Sequence, residues 1–258
     1  LLAMNQGHTW GWSSAAVLGL LVAFVVLATF FIRFESRSES PMLDLGLFRN
    51  RAFSAATVSA VLNYVAAYCI VFVLPFYLIR GRDFSPERAG LIMTAQSVVM
   101  VVVAPVSGAL SDRIGPRLLS TTGMALMGGG LLLLARLGPT SALTSVILGL
   151  AVAGLGAGLF TSPNNSALMG AAPRERQGVA AAIMATARNV GMVLGVGLAG
   201  AVFTSVLQRL GDTRDALFVA GRASFVAGAV AAGLGAGVSL IRGAVPVRGP
   251  DARGASAA

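Results

Sequence analysis

The stretch GALSDRIGPR, residues 108–117, places a charged, glycine-containing turn between two long apolar segments. The segments before and after it, residues 89–110 and 118–135, are nearly free of charge. At a rise of about 1.5 Å per residue, helices of these lengths approach or reach across the hydrocarbon core of a bilayer. We therefore expect the charges of this turn to lie at a membrane surface.

Composition places the rest of the chain in the membrane as well. Of 258 residues, 56% are hydrophobic and 11% are charged, and the mean hydropathy is +0.81, which is outside the range of soluble domains. Apolar runs predict seven membrane spans, at residues 13–32, 52–79, 89–110, 118–135, 142–169, 179–207 and 219–241. Most of these runs are about twice as long as the strands of a membrane barrel, so the sequence predicts an all-α integral membrane protein.

The distribution of arginine predicts the orientation of the helices. All 19 basic residues are arginine; eleven lie in the 33–51, 111–117 and 172–177 loops and the tail, and seven, Arg222 among them, lie on the opposite side. Since basic residues favour the cytoplasmic side, we expect the 108–117 turn and the C-terminus to be cytoplasmic and residues 1–12 to be extracytoplasmic. Topology and anionic lipid headgroups explain the net charge of +9, and no basic, aromatic face indicates nucleic acid binding.

Polar stretches divide the chain into three predicted parts. Residues 33–51 form a linker containing Ser, Glu and Pro. It separates the first helix, in residues 1–51, from a six-helix bundle in residues 52–241, and residues 242–258 are predicted to be a flexible cytoplasmic tail. Because the chain starts at Leu1 with an extracytoplasmic segment, we interpret it as the C-terminal piece of a longer protein.

Glycines at four-residue spacing occur in the last three spans: Gly154 and Gly158, Gly191 and Gly195, Gly233 and Gly237. Such pairs allow helix backbones to approach closely in a membrane. We therefore expect all three pairs to lie at helix contacts.

Four stretches carry a resemblance to a known family. The 108–117 stretch is similar to the loop motif of the major facilitator superfamily, roughly G-x-L-x-D-R-x-G-R-R, with Pro116 at a position that is usually basic. The segments SPMLDLGLFRNRAF (40–53), LPFYLIRGRDFSPERAGL (74–91) and GVAAAIMATARNVGMVLGVGLAGAV (178–202) resemble the fourteen-helix drug:proton antiporters of that superfamily.

This resemblance implies that span 13–32 is the second of two inserted linker helices, followed by a cytoplasmic linker. The six spans after it would be a C-terminal bundle whose N-terminal half, on the same polypeptide, is missing here. Spans 52–79 and 142–169 would line the central cavity, spans 89–110 and 179–207 would face the other half, and spans 118–135 and 219–241 would be peripheral. It further implies a bacterial plasma membrane transporter that exports hydrophobic or cationic drugs, dyes or antibiotic-like metabolites in exchange for protons, and so confers antibiotic resistance.

The 108–117 turn is a candidate conformational gate, made of Gly108, Asp112, Arg113, Gly115 and Arg117. A carboxylate between two helices can accept hydrogen bonds from helix N-terminal amides and pair with arginine only while the helix ends are close. Gly115 permits a tight turn and Gly108 a close backbone approach. The alternative is that the charges only solubilise the loop and set topology.

Arg188 is the one charge that we place well inside a predicted span, roughly 15 Å from its start. A charge at that depth is expensive and suggests function, either in shaping the cavity or in contacting a carboxylate of the missing half. The alternative is a structural guanidinium that binds backbone carbonyls. Because no acidic residue lies mid-span, we expect the proton-carrying carboxylate to lie outside this chain.

Candidate cavity residues are polar or aromatic positions inside the spans: Asn63, Tyr64, Tyr68, Gln96, Asn164 and Asn165. The first three are expected to share one face, either for a small amphipathic substrate or as an interhelical hydrogen-bond cluster. Gln96 fits a contact between helices better than a ligand contact. The two later asparagines follow Pro163 in a polar stretch that we interpret as a hinge or a cavity floor.

Enzymatic function is not indicated. The single histidine, His8, precedes the first span, no H-E-x-x-H or G-x-S-x-G occurs, and the absence of lysine excludes a retinal Schiff base. We expect no metal and no cofactor, with the proton as coupling ion. The alternatives to drug export are transport of another small metabolite by the same superfamily and a non-transporting membrane remnant or assembly partner.

Overall fold

The computed structural model describes residues 45–241 without interruption and, before them, residues 14–15, 18–19, 22–23, 26–27, 29–30 and 33. These described residues form helices and no strand. Six of the helices are long and apolar enough to cross a membrane. They are α1 (Arg51–Pro75, continued by a π-helical turn, Phe76–Gly81), α2 (Pro86–Ile114), α3 (Pro116–Ala135), α4 (Leu143–Ala171), α5 (Gln177–Leu210) and α6 (Arg214–Ile241).

Six of the seven predicted spans are thereby confirmed as helices. The predicted first span, residues 13–32, lies largely outside the described residues, as do much of the 33–51 linker and the 242–258 tail. A seventh membrane helix therefore stays a prediction.

Two helices, α2 and α6, begin before the apolar runs that predicted them, and a polar residue caps each of these starts. Ser85 accepts a hydrogen bond from the Arg88 amide at 3.4 Å, and α2 begins at Pro86. Thr213 accepts one from the Ala216 amide at 3.2 Å, and α6 begins at Arg214. Arg222, which we counted with the arginines of the extracytoplasmic side, therefore lies about 12 Å along α6 from its first residue.

The helices form two layers. α5, α1, α4 and α2 stand side by side in that order, and α6 and α3 pack behind them. α1 contacts α5 and α6, α4 contacts α2 and α3, and α3 contacts α6. Exchanging α1 with α4, α2 with α5 and α3 with α6 maps these contacts onto one another. The bundle therefore has the packing of two three-helix repeats, which the sequence does not reveal.

The outer helices of the front layer, α2 and α5, bury little of their surface. In the most apolar stretch of each helix, the buried share is 11% for α2 and 22% for α5, compared with 56% for α1. Leu91, Val101 and Val106 of α2 are exposed. This is the arrangement expected of two helices that face another bundle or lipid.

Two of the three glycine pairs lie at helix contacts, as predicted. A Cβ atom on Gly191 or Gly195 of α5 would lie 2.6 Å or 2.7 Å from a backbone carbonyl oxygen of α1. On α4, Gly154 packs against the carbonyl group of Gln96, and a Cβ on Gly158 would lie 2.8 Å from the Val103 Cβ. Because these positions are glycine, α1 and α5 touch backbone to backbone, as do α4 and α2.

The prediction for Gly233 and Gly237 is not met among the described residues, in which neither glycine has an atom within 4 Å of an added Cβ. α6 instead uses Gly228 against Cys69 of α1, and Gly235 against Met124 of α3. A step of two residues turns about 200° around a helix, so Gly233 and Gly237 lie on the side opposite Gly235.

We expect Gly195→Ala to destabilise the bundle and Gly237→Ala to have little effect. The added methyl group at position 195 would lie 2.7 Å from the Val65 carbonyl oxygen and 2.9 Å from the Tyr68 Cβ, and such overpacking costs about 1–3 kcal/mol. Cys69, buried and the single cysteine, reports unfolding when it reacts with a thiol-reactive dye during heating. Equal melting temperatures for the two variants would contradict this packing.

Candidate functional site

The gate turn, residues 108–117, joins α2 to α3. Gly115 has a φ of +84°, a conformation that favours glycine, and it separates Ile114, which ends α2, from Pro116, which begins α3. A Cβ on Gly108 would lie 2.7 Å from the Ser162 Oγ of α4. The two glycines thus have the backbone roles predicted for them, a tight turn and a close helix contact.

The charged residues of the gate turn, Asp112, Arg113 and Arg117, are all exposed. In the described part of the chain none of them makes a hydrogen bond or an ion pair. The first residue of α3, Pro116, has no N–H to donate to a carboxylate. The contact required for gating therefore does not form within this bundle, and its role stays a prediction that needs a partner outside these residues.

Aromatic residues on α1 line its contact with α5. They are half-buried, follow one another at four-residue spacing and are called the aromatic seam: Tyr64, Tyr68, Phe72 and Phe76. The last of them lies in the π-helical turn that ends α1. A spacing of four residues keeps them on neighbouring positions of one helix face.

Contacts with α5 hold each residue of the aromatic seam in place. The Cβ atoms of Tyr64 and Tyr68 lie over Gly191 and Gly195, and the Phe72 ring lies over Gly200. At the far end, the Phe76 and Phe203 rings have centroids 5.0 Å apart. At one end of the seam, therefore, tyrosines of α1 pack on glycines of α5. At the other end, phenylalanines of the two helices pack on each other.

Arg188 lies at the tyrosine end of the aromatic seam. It precedes Gly191 by one helical turn of α5, is exposed, and lies close enough to Tyr64 to interact with it electrostatically. Among the described residues it has no hydrogen-bond or ion-pair partner. Within the described bundle the guanidinium is thus not bound to backbone carbonyls, and both interpretations of Arg188 stay predictions that involve a partner outside these residues.

Two of the predicted cavity residues, Asn63 and Asn164, are buried inside the bundle. The Asn63 side chain is 3% exposed and donates to the Met124 Sδ of α3 at 3.3 Å. Asn164 donates to the Ala56 carbonyl of α1 at 3.1 Å. The expectation that Asn63 shares a face with the two tyrosines is wrong, because one residue turns about 100° around the helix and directs Asn63 towards α3.

The other two cavity candidates lie near the α2–α4 contact. Gln96 is half-buried with its backbone carbonyl against Gly154, and Asn165 is half-buried on α4. In the described residues neither side chain makes a hydrogen bond. α4 is continuous through Pro163, so the polar stretch does not break the helix. Contact of either residue with a substrate stays a prediction.

Sequence reasoning missed two ion pairs at the end of the bundle away from the gate turn. Arg80 contacts Asp212 at 3.1 Å, and Arg214 pairs with Asp83. The first joins the π-helical turn of α1 to the α5–α6 loop, and the second joins the start of α6 to the α1–α2 loop. Arginine and aspartate in both regions were the sequence feature that could have predicted these pairs. Nothing in the sequence, however, indicates that two regions so far apart along the chain lie close together. Since the side chains are largely exposed, each pair contributes about 0–1 kcal/mol.

Comparison with known proteins agrees with this architecture. The sequence profile of the Major Facilitator Superfamily matches residues 56–257. Similar proteins include the riboflavin transporter RibZ of Clostridioides difficile, 34% identical over 231 residues, which are 87% of this chain and 49% of RibZ. The uncharacterized transporter YebQ of Escherichia coli is 32% identical over 242 residues, 94% of this chain and 51% of YebQ.

A third relative, the multidrug resistance protein Stp of Mycobacterium tuberculosis, is 31% identical over 206 residues, 80% of this chain and 38% of Stp. The chain spans about half the length of RibZ and YebQ and less of Stp. The residues that the family profile matches, 56–257, contain most of α1, all of α2 to α6, and both candidate sites.

Proposed function

Because the chain belongs to the major facilitator superfamily, we propose that it is the C-terminal half of a proton-coupled exporter in the bacterial plasma membrane. Its substrates are small amphipathic molecules such as drugs, dyes or antibiotic-like metabolites. The observation that carries the proposal is the front layer, whose outer helices α2 and α5 bury little and fit against a second bundle. The similarity to Stp supports drug export.

Transport by this arrangement is alternating access, in which two bundles rock about a site between them. The gate turn, on the cytoplasmic side in our orientation, closes one entrance when Asp112 meets a partner on the other bundle. The described helices carry no acidic residue away from their ends. The carboxylate that takes up the coupling proton therefore belongs to the other half.

A specific observation favours a second candidate, transport of a small metabolite. The relative with the higher identity, RibZ, is named a riboflavin transporter. Uptake of riboflavin compared with uptake of a hydrophobic dye therefore distinguishes metabolite transport from drug export.

Everted membrane vesicles that contain the full-length protein test the proposal. Acidifying their lumen should drive accumulation of a fluorescent dye, because export from the cell is uptake into an everted vesicle. Nigericin, which collapses the pH gradient, should stop it, and vesicles without the protein are the control. Uptake of riboflavin without dye would favour the metabolite transporter, whereas no uptake of either would indicate a remnant or assembly partner.

A further inference from the structure

The aromatic seam offers ring surface that the bundle leaves uncovered. Tyr64 and Tyr68 are half-buried, and the α5 residues that their Cβ atoms meet are glycines, which have no side chain to cover a ring. The phenylalanine end of the seam already associates with the Phe203 ring of α5, whose centroid lies 5.0 Å from that of Phe76 and 6.2 Å from that of Phe72. A flat aromatic molecule would find stacking and edge-to-face partners of the same kind here.

Arg188 adds a positive charge at the tyrosine end of this surface. Its side chain is exposed, it precedes by one turn of α5 the Gly191 that packs against the Tyr64 Cβ, and it has no hydrogen-bond or ion-pair partner in the described residues. The acidic side chains of the described helices are at helix ends, outside this level of the bundle. A guanidinium without a counter-ion at this depth is costly, and a planar anion matches its fork of donors.

From this juxtaposition we propose that the aromatic seam and Arg188 bind a planar aromatic molecule that carries a carboxylate or a similar anionic group. The rings lie along Tyr64 and Tyr68, and the anionic group faces Arg188. This inference rests on the proposed transport function and narrows its substrates to aromatic anions.

Aromatic surfaces also attract cations, so the sign of the charge needs an argument. Cation–π attraction to tyrosine is weak at a partly exposed site. In the same environment, two full like charges interact more strongly than a charge and a ring quadrupole, so Arg188 repels a second cation that approaches these rings. Repulsion by Arg188 therefore outweighs the attraction, and the site excludes the cationic drugs that the resemblance allowed.

Binding to the purified full-length protein tests the proposal with three probes. These are 9-anthracenecarboxylate, its uncharged carboxamide, and cyclohexanecarboxylate, which keeps the charge without the aromatic rings. Anthracene fluorescence reports the first two, and competition reports the third. We expect the carboxylate to bind about tenfold or more tightly than the carboxamide, since a hydrogen-bonded charge contributes that much. Cyclohexanecarboxylate should compete weakly.

Substitutions assign the two parts of the recognition. Arg188→Gln should remove the preference for the carboxylate and leave carboxamide binding unchanged, while Arg188→Lys should keep most of it. Tyr68→Leu should weaken both anthracene probes equally. Arg222→Gln is the matched control, because Arg222 is also an exposed arginine inside a helix, and it should change neither affinity.

Two outcomes would overturn the proposal. One is equal binding of carboxylate and carboxamide to the unmodified protein, as expected if a carboxylate of the other half already occupies Arg188. The other is tighter binding of tetraphenylphosphonium, a cation, than of the anthracenecarboxylate. Because binding needs no gradient, loss of the anion site with dye transport intact rejects only this inference, and an intact anion site without transport rejects only the proposed function.

Discussion

Asp112→Asn in the full-length protein is expected to favour the state in which the cytoplasmic entrance is open. In the proposed mechanism Asp112 contacts the other bundle when that entrance is closed, and removing the charge would weaken this contact. Loss of a charge-assisted hydrogen bond shifts a two-state equilibrium by about tenfold or more. A membrane-impermeant thiol reagent applied from the cytoplasmic side should then label a cysteine at Asn165, near the end of α4 that adjoins the gate turn, faster than in the parent.

Folding should not suffer, because Asp112 is exposed and makes no hydrogen bond or ion pair in the described bundle. Asp215→Asn is the matched control, since Asp215 is an exposed carboxylate in the first turn of α6 at the opposite end. Unchanged labelling and full transport in Asp112→Asn would reduce the gate turn to a solubilising loop.

The helices themselves were accessible from the sequence, because a membrane span requires a long apolar run and little else. The ends were not, since Ser85 and Thr213 extend helices into polar residues that a hydropathy pattern excludes. The backbone requirement at Gly115 could be predicted, because a helix end followed by proline needs a residue that tolerates a positive φ.

Which face a residue occupies was much harder to predict. Asn63 and Tyr64 are adjacent in sequence, yet one bonds to α3 and the other packs on α5. The same limit applies to Gly237. Its spacing from Gly233 predicts a helix contact, but among the described residues no atom lies within 4 Å of a Cβ added there. Periodicity reports that a face exists, and only the positions of the neighbouring helices decide what covers it. For that reason Phe72 and Phe76, which complete the aromatic seam, were not among the sequence candidates.

Residues 1–258 expressed alone are expected to insert in the membrane and to confer no drug efflux. Insertion needs only the apolar helices, of which six are described here. Efflux needs a second bundle in the proposed mechanism. Without it, the site stays open along α2 and α5 and cannot be opened to one side of the membrane while it is closed to the other. Carbonate-resistant membrane association should therefore be normal, with dye efflux at the level of cells that lack the protein.

Co-expression of the native N-terminal half should restore efflux, since it covers exposed or half-buried groups that the bundle leaves open. These are Tyr64, Gln96 and Arg188, but not Asn63, which the bundle buries by itself. A C-terminal half that carries Gly237→Ala is the matched control, because the added methyl group meets no atom within 4 Å in the described bundle and should leave the restored efflux unchanged. Proton-dependent dye efflux by purified residues 1–258 in liposomes would contradict the prediction and indicate a homodimer in which two copies supply the two bundles.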